Sequence, residues 1–132
     1  MGSRLRSERG NVSLLIVLLL PALVISAGLV LDGGRQIEVR REAHGAAAAA
    51  ARAAVQLEPS EVFARQLDAG LAVGRAEASL ANQGASGSVS VAGEAVTVTV
   101  DARVDYLILP GGRSISQSST ATAVDGVTGA QP

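Results

Sequence analysis

Residues 12–31 read VSLLIVLLLPALVISAGLVL, twenty positions without a charge, directly after the basic stretch MGSRLRSERG. At about 1.5 Å per helical residue the run is roughly 30 Å long, the thickness of a bilayer's hydrocarbon core. Charge returns at once beyond it, with Asp32, Arg35, Glu38, Arg40 and Arg41. The rest of the chain is too polar to enter lipid and long enough to fold. The run therefore reads as a retained membrane helix, with the body of the chain in water. A cleaved secretory signal is the second reading: it too starts basic, continues apolar and ends in small residues, here Ser26-Ala27-Gly28. The apolar stretch continues through Leu29, Val30 and Leu31, longer than a usual signal core. Basic residues flank both sides, so orientation rests on the short leader, residues 1–11, with Arg4, Arg6 and Arg9. Holding a short basic tail is easier than translocating it, which favours a cytoplasmic N-terminus and an extracytoplasmic body.

Composition bounds the class. In 132 residues, less the apolar run, there is room for one small domain. Cysteine is absent, which excludes a disulfide framework and a thiolate metal site. Phe63 and Tyr106 are the only aromatics and the net charge is −1, so neither stacking residues nor a basic face supports nucleic-acid binding.

From Arg35 to Leu57 the chain reads as helix, centred on the alanine run 46–51, since alanine has the highest intrinsic helix propensity. Gly33-Gly34 does not demand a turn, and one nearly continuous helix from lipid into water is expected. Pro21 lacks a backbone donor and is expected to kink or loosen it. Gly45, Ala49 and Ala53 recur at four-residue spacing, as do Ala22 and Ser26 inside the apolar run. Small residues on one face let a second helix approach closely, above all in lipid, where packing drives association. A second, amphipathic helix is expected over 59–81. Pro59 suits a first turn, Ser60 and Glu61 suit the positive end of the dipole, and Phe63, Leu67, Leu71 and Ala78 form one apolar stripe.

After Gly84 the period changes to two. Ser88-Val89-Ser90-Val91 alternates, Gly93-Glu94 makes a tight turn, and Val96, Val98, Val100, Ala102, Val104 and Tyr106 share one face. Thr97, Thr99, Asp101, Arg103 and Asp105 share the other. Leu107 to Leu109 breaks the alternation before Pro110-Gly111-Gly112, and a Ser/Thr-rich third strand is expected over about 114–124, with Ile115, Ala121 and Ala123 inward. The fold class is α+β: a long N-terminal helix, a second helix, and an antiparallel sheet of about three strands that the helices must cover. The divisions are a leader at 1–11, a membrane helix at 12–31, an alanine-rich extension at 32–57, a small domain at 58–124 and a disordered tail at 125–132.

The segment RGNVSLLIVLLLPALVISAGLVLDGGRQIEVRREAHGAAAAAARAA resembles the N-terminal part of the TadE/TadG-like proteins of tight-adherence (Flp-type) pilus systems. Arg9-Gly10 precedes the apolar run and Leu20-Pro21 lies within it. Gly28 and Leu29 then lead to Asp32, Gly34 and Arg35 ahead of an alanine-rich helix. The later run GSVSVAGEAVTVTVDARV is similar to the valine/threonine strands of the same small proteins. The resemblance implies a pilin-like subunit, its leader cut by a prepilin peptidase after Gly10 to leave Asn11 as the new N-terminus. It implies as partners the membrane and other pilin-like subunits or pilus and secretion machinery, with no cofactor and no small-molecule substrate. Leu15 stands where many pilins carry a glutamate. That departure favours the TadG-like side of the family, an anchored assembly or envelope component.

Enzymatic readings find little support. His44 has no cysteine or second histidine to complete a metal site. Asp101 and Asp105 share a wet strand face with Arg103 between them, the pattern of a solubilising surface. Asp32 reads as a marker of the bilayer boundary, with Arg35 or a partner's arginine as its counter-charge. Two functions remain: a structural, pilin-like or anchored component of a Flp/Tad-type pilus, minor pilin or pseudopilin included, or a secreted or tethered extracytoplasmic binding module unrelated to pili.

Overall fold

The apolar run and the alanine-rich stretch form one helix. In the computed structural model, which describes residues 4–124, α1 spans Arg4–Ala54 without a break, through Pro21 and through Gly33-Gly34. Its 51 residues make a rod of about 76 Å. Pro21 withholds one amide, which leaves the Val17 carbonyl without its intrahelical donor. Strong local propensity on both sides keeps the helix running past that loss. The tail at 125–132, expected to be disordered, and the first three residues of the leader lie outside the described residues.

Two short helices follow, α2 (Pro59–Ala64) and α3 (Ala69–Asn82), then three strands, β1 (Ser86–Ala92), β2 (Ala95–Asp105) and β3 (Gly112–Thr122). The strands form an antiparallel meander in the order β1-β2-β3. Val89 faces Val98 and Val91 faces Val96 across the first pair, while Val96 faces Ala121 and Ala102 faces Ile115 across the second. Gly93 takes φ +63° at the first central position of the β1–β2 turn, the place where a type II′ hairpin wants glycine.

The sheet is covered on one face. The C-terminal half of α1 lies over β2 and β3, and α3 packs beside it over β1. The buried face of α1 is almost all alanine: Ala43, Ala46, Ala47, Ala50, Ala51 and Ala54. Alanine lets the helix axis come close to the sheet, where Val96, Val98 and Val100 supply the bulk. Burying such a valine is worth roughly 2 kcal/mol. The opposite sheet face is wet and polar, with Thr97 and Thr120 hydroxyls hydrogen-bonded at 2.8 Å.

The single helix expected over 59–81 is two helices, and its apolar stripe is a different one. Arg65 adopts the left-handed conformation, φ 50°, and ends α2. Asp68 then starts α3 by accepting the Leu71 amide at 3.0 Å, the ordinary work of an N-cap aspartate. The break rotates the stripe apart. Phe63 is 89% exposed, and Leu71 and Ala78 are exposed as well, while Leu67 stays buried in the link and α3 turns Ala72, Ala76 and Leu80 inward. The first helix also ends at Ala54 rather than Leu57, where Arg75 of α3 captures the Ala54 carbonyl from outside the helix.

Candidate functional site

Along α1 the residues at one-turn spacing from Gly28 upward form the face that meets the domain. Gly28 and Asp32 are both buried, one turn apart, and everything from 10 to 27 is exposed. The β2–β3 loop, residues 106–111, comes down on this pair. A Cβ at Gly28 would stand 2.8 Å from Ile108 Cγ2 and 3.2 Å from its Cβ, so the glycine is there to admit the isoleucine. One turn on, Asp32 takes three successive amides of the loop: Leu107 donates to Oδ1 at 2.8 Å, and Ile108 and Leu109 donate to Oδ2 at 3.4 and 3.0 Å. Those bonds, that of Leu107 foremost, hold the Asp32 carboxyl below its usual range against the opposing effect of burial; Arg35 adds a smaller pull in the same direction. Asp32 is thus more than a boundary marker: it is an anion held by backbone donors, as a nest of amides holds any carboxylate, and it pins the sheet to the helix.

A second polar hub lies at the other end of the domain. Glu61 is 3% exposed and accepts four hydrogen bonds. The Glu58 amide and Arg75 Nη1 each donate to Oε2 at 2.8 Å, and the Asp68 amide and Arg75 Nη2 donate to Oε1 at 2.9 and 3.1 Å. Arg75 in turn donates through Nε and Nη2 to the Ala54 carbonyl, at 3.2 and 2.9 Å. One ion pair therefore ties together the end of α1, the whole of α2 and the middle of α3. Arg75 first, then the amides, lowers the Glu61 carboxyl to about 2. Sequence reasoning placed Glu61 only at a helix dipole and passed over Arg75. The available signal was a lone acid and a lone arginine in otherwise apolar helical stretches, but their pairing depends on the break at 65–68.

The other residues singled out by sequence are spread along α1. Gly10 and Asn11 are exposed and helical, ahead of the uncharged run. Ala22 and Ser26 are exposed, and the Ser26 hydroxyl donates to the Ala22 carbonyl at 2.7 Å within the helix, so it needs no outside partner. Gly45 is exposed with nothing near its missing Cβ, and Ala49 and Ala53 are half-buried. At 100° per residue the helix turns about 140° between Ala22 and Gly45, so these two rows of small residues face different directions. His44 is exposed; Asp105 pairs with Arg103 at 3.1 Å on the wet face, and Asp101 accepts from the Ser116 hydroxyl. Among the described residues, no group of three or more His, Asp or Glu side chains is placed to hold a metal ion.

A likeness to a known family falls on this same helix. Residues 10–57 match the sequence model of a family described as putative Flp pilus-assembly TadE/G-like. The match spans little more than a third of the chain, and over that segment the chain is similar to the TadE/G-like family. No curated protein matches the chain, and no solved structure does. The matched segment contains the whole apolar run, Gly28, Asp32 and the alanine face, whereas α2, α3 and the sheet lie beyond it. The description of that family places it in Flp pilus assembly and does not separate a pilin from another component of that system. Together with a helix long and apolar enough to cross a membrane, it fits a membrane-anchored protein.

Proposed function

We propose that this chain is a pilin-like structural component of a Flp/Tad-type pilus, anchored by residues 12–31 with its N-terminus in the cytoplasm and residues 58–124 outside the membrane. The observation that carries the proposal is the docking of the β2–β3 loop on Gly28 and Asp32. It makes the end of the apolar helix part of the folded domain. Signal cleavage near Ser26-Ala27-Gly28 would cut the helix at the contact that holds the sheet, which argues for retention over a released binding module. Helix 12–27 is exposed along its whole length and, apart from Ser13 and Ser26, offers only apolar side chains, as a subunit must that waits in lipid and later exchanges lipid for neighbouring helices. The partners on this reading are the membrane, other pilin-like subunits, the assembly machinery and, for processing between Gly10 and Asn11, a prepilin peptidase. Leu15 at the position of the usual pilin glutamate supports a second role within the same system, an anchored assembly component that never enters the filament.

The mature N-terminus of protein recovered from its native membrane tests this. A chain starting at Asn11 is the expected result. A start at Met1 or Gly2 would move the assignment to the permanent anchor, and a start near Leu29 would overturn both.

A further inference from the structure

We propose that the β2–β3 loop is a second membrane contact: Leu107 and Ile108 enter the headgroup–acyl boundary of the same bilayer that holds α1. The inference rests on the membrane reading of residues 12–31 and goes beyond it to the domain.

Depth is set by the docking contact. Ile108 packs on Gly28, three positions inside the end of the uncharged run at Leu31, which is about 4.5 Å of helix. With the helix seated in a bilayer, the tip of the loop lies at the level of Gly28 to Asp32, where Leu29, Val30 and Leu31 also project outward. The side chains fit that place. Leu107 is 68% and Ile108 42% exposed, and from Tyr106 to Gly112 the chain reads YLILPGG, without a charge. The first charges beyond it, Asp105 and Arg113, stand on the strands. Tyr106, the only tyrosine, is half-buried at the top of the loop, the kind of side chain that favours a membrane interface.

The backbone fits as well. An irregular loop entering a low-dielectric region must have its amides satisfied. The Leu107, Ile108 and Leu109 amides all go to the Asp32 carboxylate, and Tyr106 donates to the Gly111 carbonyl at 3.1 Å. In water such thorough satisfaction is unnecessary for an exposed loop. Two contacts instead of one hold the domain at a fixed tilt on the membrane surface.

The chain contains no tryptophan, so a single introduced indole reports its own surroundings. Full-length protein carrying Leu107→Trp is reconstituted into phosphatidylcholine–phosphatidylglycerol vesicles, with and without bromine on the upper acyl chain. Leu19→Trp reports the helix, and Phe63→Trp reports a site in water far from the loop. Pro110→Trp, exposed on the same loop, serves if Leu107→Trp fails to fold. The expected result is blue-shifted emission from the loop indole and about a twofold loss of intensity in brominated vesicles, as for an interfacial side chain. Addition of Gly28→Val, which displaces Ile108, reverses both. A loop indole that behaves like Phe63→Trp while Leu19→Trp is quenched overturns the proposal and leaves the anchor standing. If Leu19→Trp is also unquenched, the membrane reading falls and the proposal with it.

Discussion

At the scale of single residues, the domain is organised by two carboxylates, each doing work that only its partners reveal. Asp32 gathers the amides of a loop about 75 positions away; Glu61 gathers two amides and Arg75. The Glu61 carboxyl is held at about 2 against an ordinary 4.5. Because the folded value is the lower one, the pair's stabilisation is complete above about 4.5 and is lost as pH falls from there towards 2. The stability of the detergent-solubilised chain, read from Tyr106 on unfolding, is expected to be flat from neutral pH to about 5 and then to fall steeply. Glu61→Gln removes this carboxyl's share of the slope and, by leaving Arg75 half-buried without its anion, costs roughly 2–3 kcal/mol at pH 7. An identical pH profile in the variant would show that the ion pair carries no pH-linked stability.

At the scale of elements, what could be read from sequence is what depends on neighbours along the chain. The alternation read over 96–106 forms β2, Ala95–Asp105, with Tyr106 just beyond its end, and the continuous α1 follows from local propensity and composition. Ile115 and Ala123 turn inward as alternation requires, at 5% and 7% exposure. What was not legible depends on contacts across the fold. Phe63 looked like the anchor of a stripe because the spacing assumed an unbroken helix; the turn at Arg65 and the cap at Asp68 disposed of that stripe. The apolar turn 107–109 broke the strand pattern visibly, but its seat on Gly28 and Asp32 follows only from how the hairpin lies along α1. The same dependence appears at Gly87, opposite Val100 in the first strand pair. A Cβ there would run into the Thr99 carbonyl, which is backbone and cannot rotate away. Gly87→Ala is therefore expected to cost about 2 kcal/mol by overpacking, while Ser88→Ala, its exposed neighbour, leaves the urea midpoint in place. Equal midpoints for the two variants would mean that β1 adjusts without cost.

At the scale of the whole molecule, one rod carries two kinds of face. Between Ala43 and Ala54 a stripe of alanines is used up by the chain's own sheet and α3, and below it Gly28 and Asp32 are taken by the β2–β3 loop. Two other rows, Ala22 with Ser26 and Gly45 with Ala49 and Ala53, lie about 140° apart around the rod by helical geometry. In an assembly of parallel rods they would meet different neighbours, one in lipid and one above it. The Ser26 hydroxyl is already spent on Ala22, so the lower row offers close approach rather than hydrogen bonding, and bulk alone should disable it. Ala22→Leu with Ser26→Leu keeps the run uncharged and touches no domain contact. The double variant is expected to insert, to unfold at the parental urea midpoint, and to disappear from sheared surface filaments while persisting in the membrane fraction. Gly45→Leu tests the upper row independently, where there is open space for the new side chain and folding is expected to survive. Filaments that incorporate the double variant at parental levels would remove the lower row from assembly and leave the apolar helix as an anchor alone.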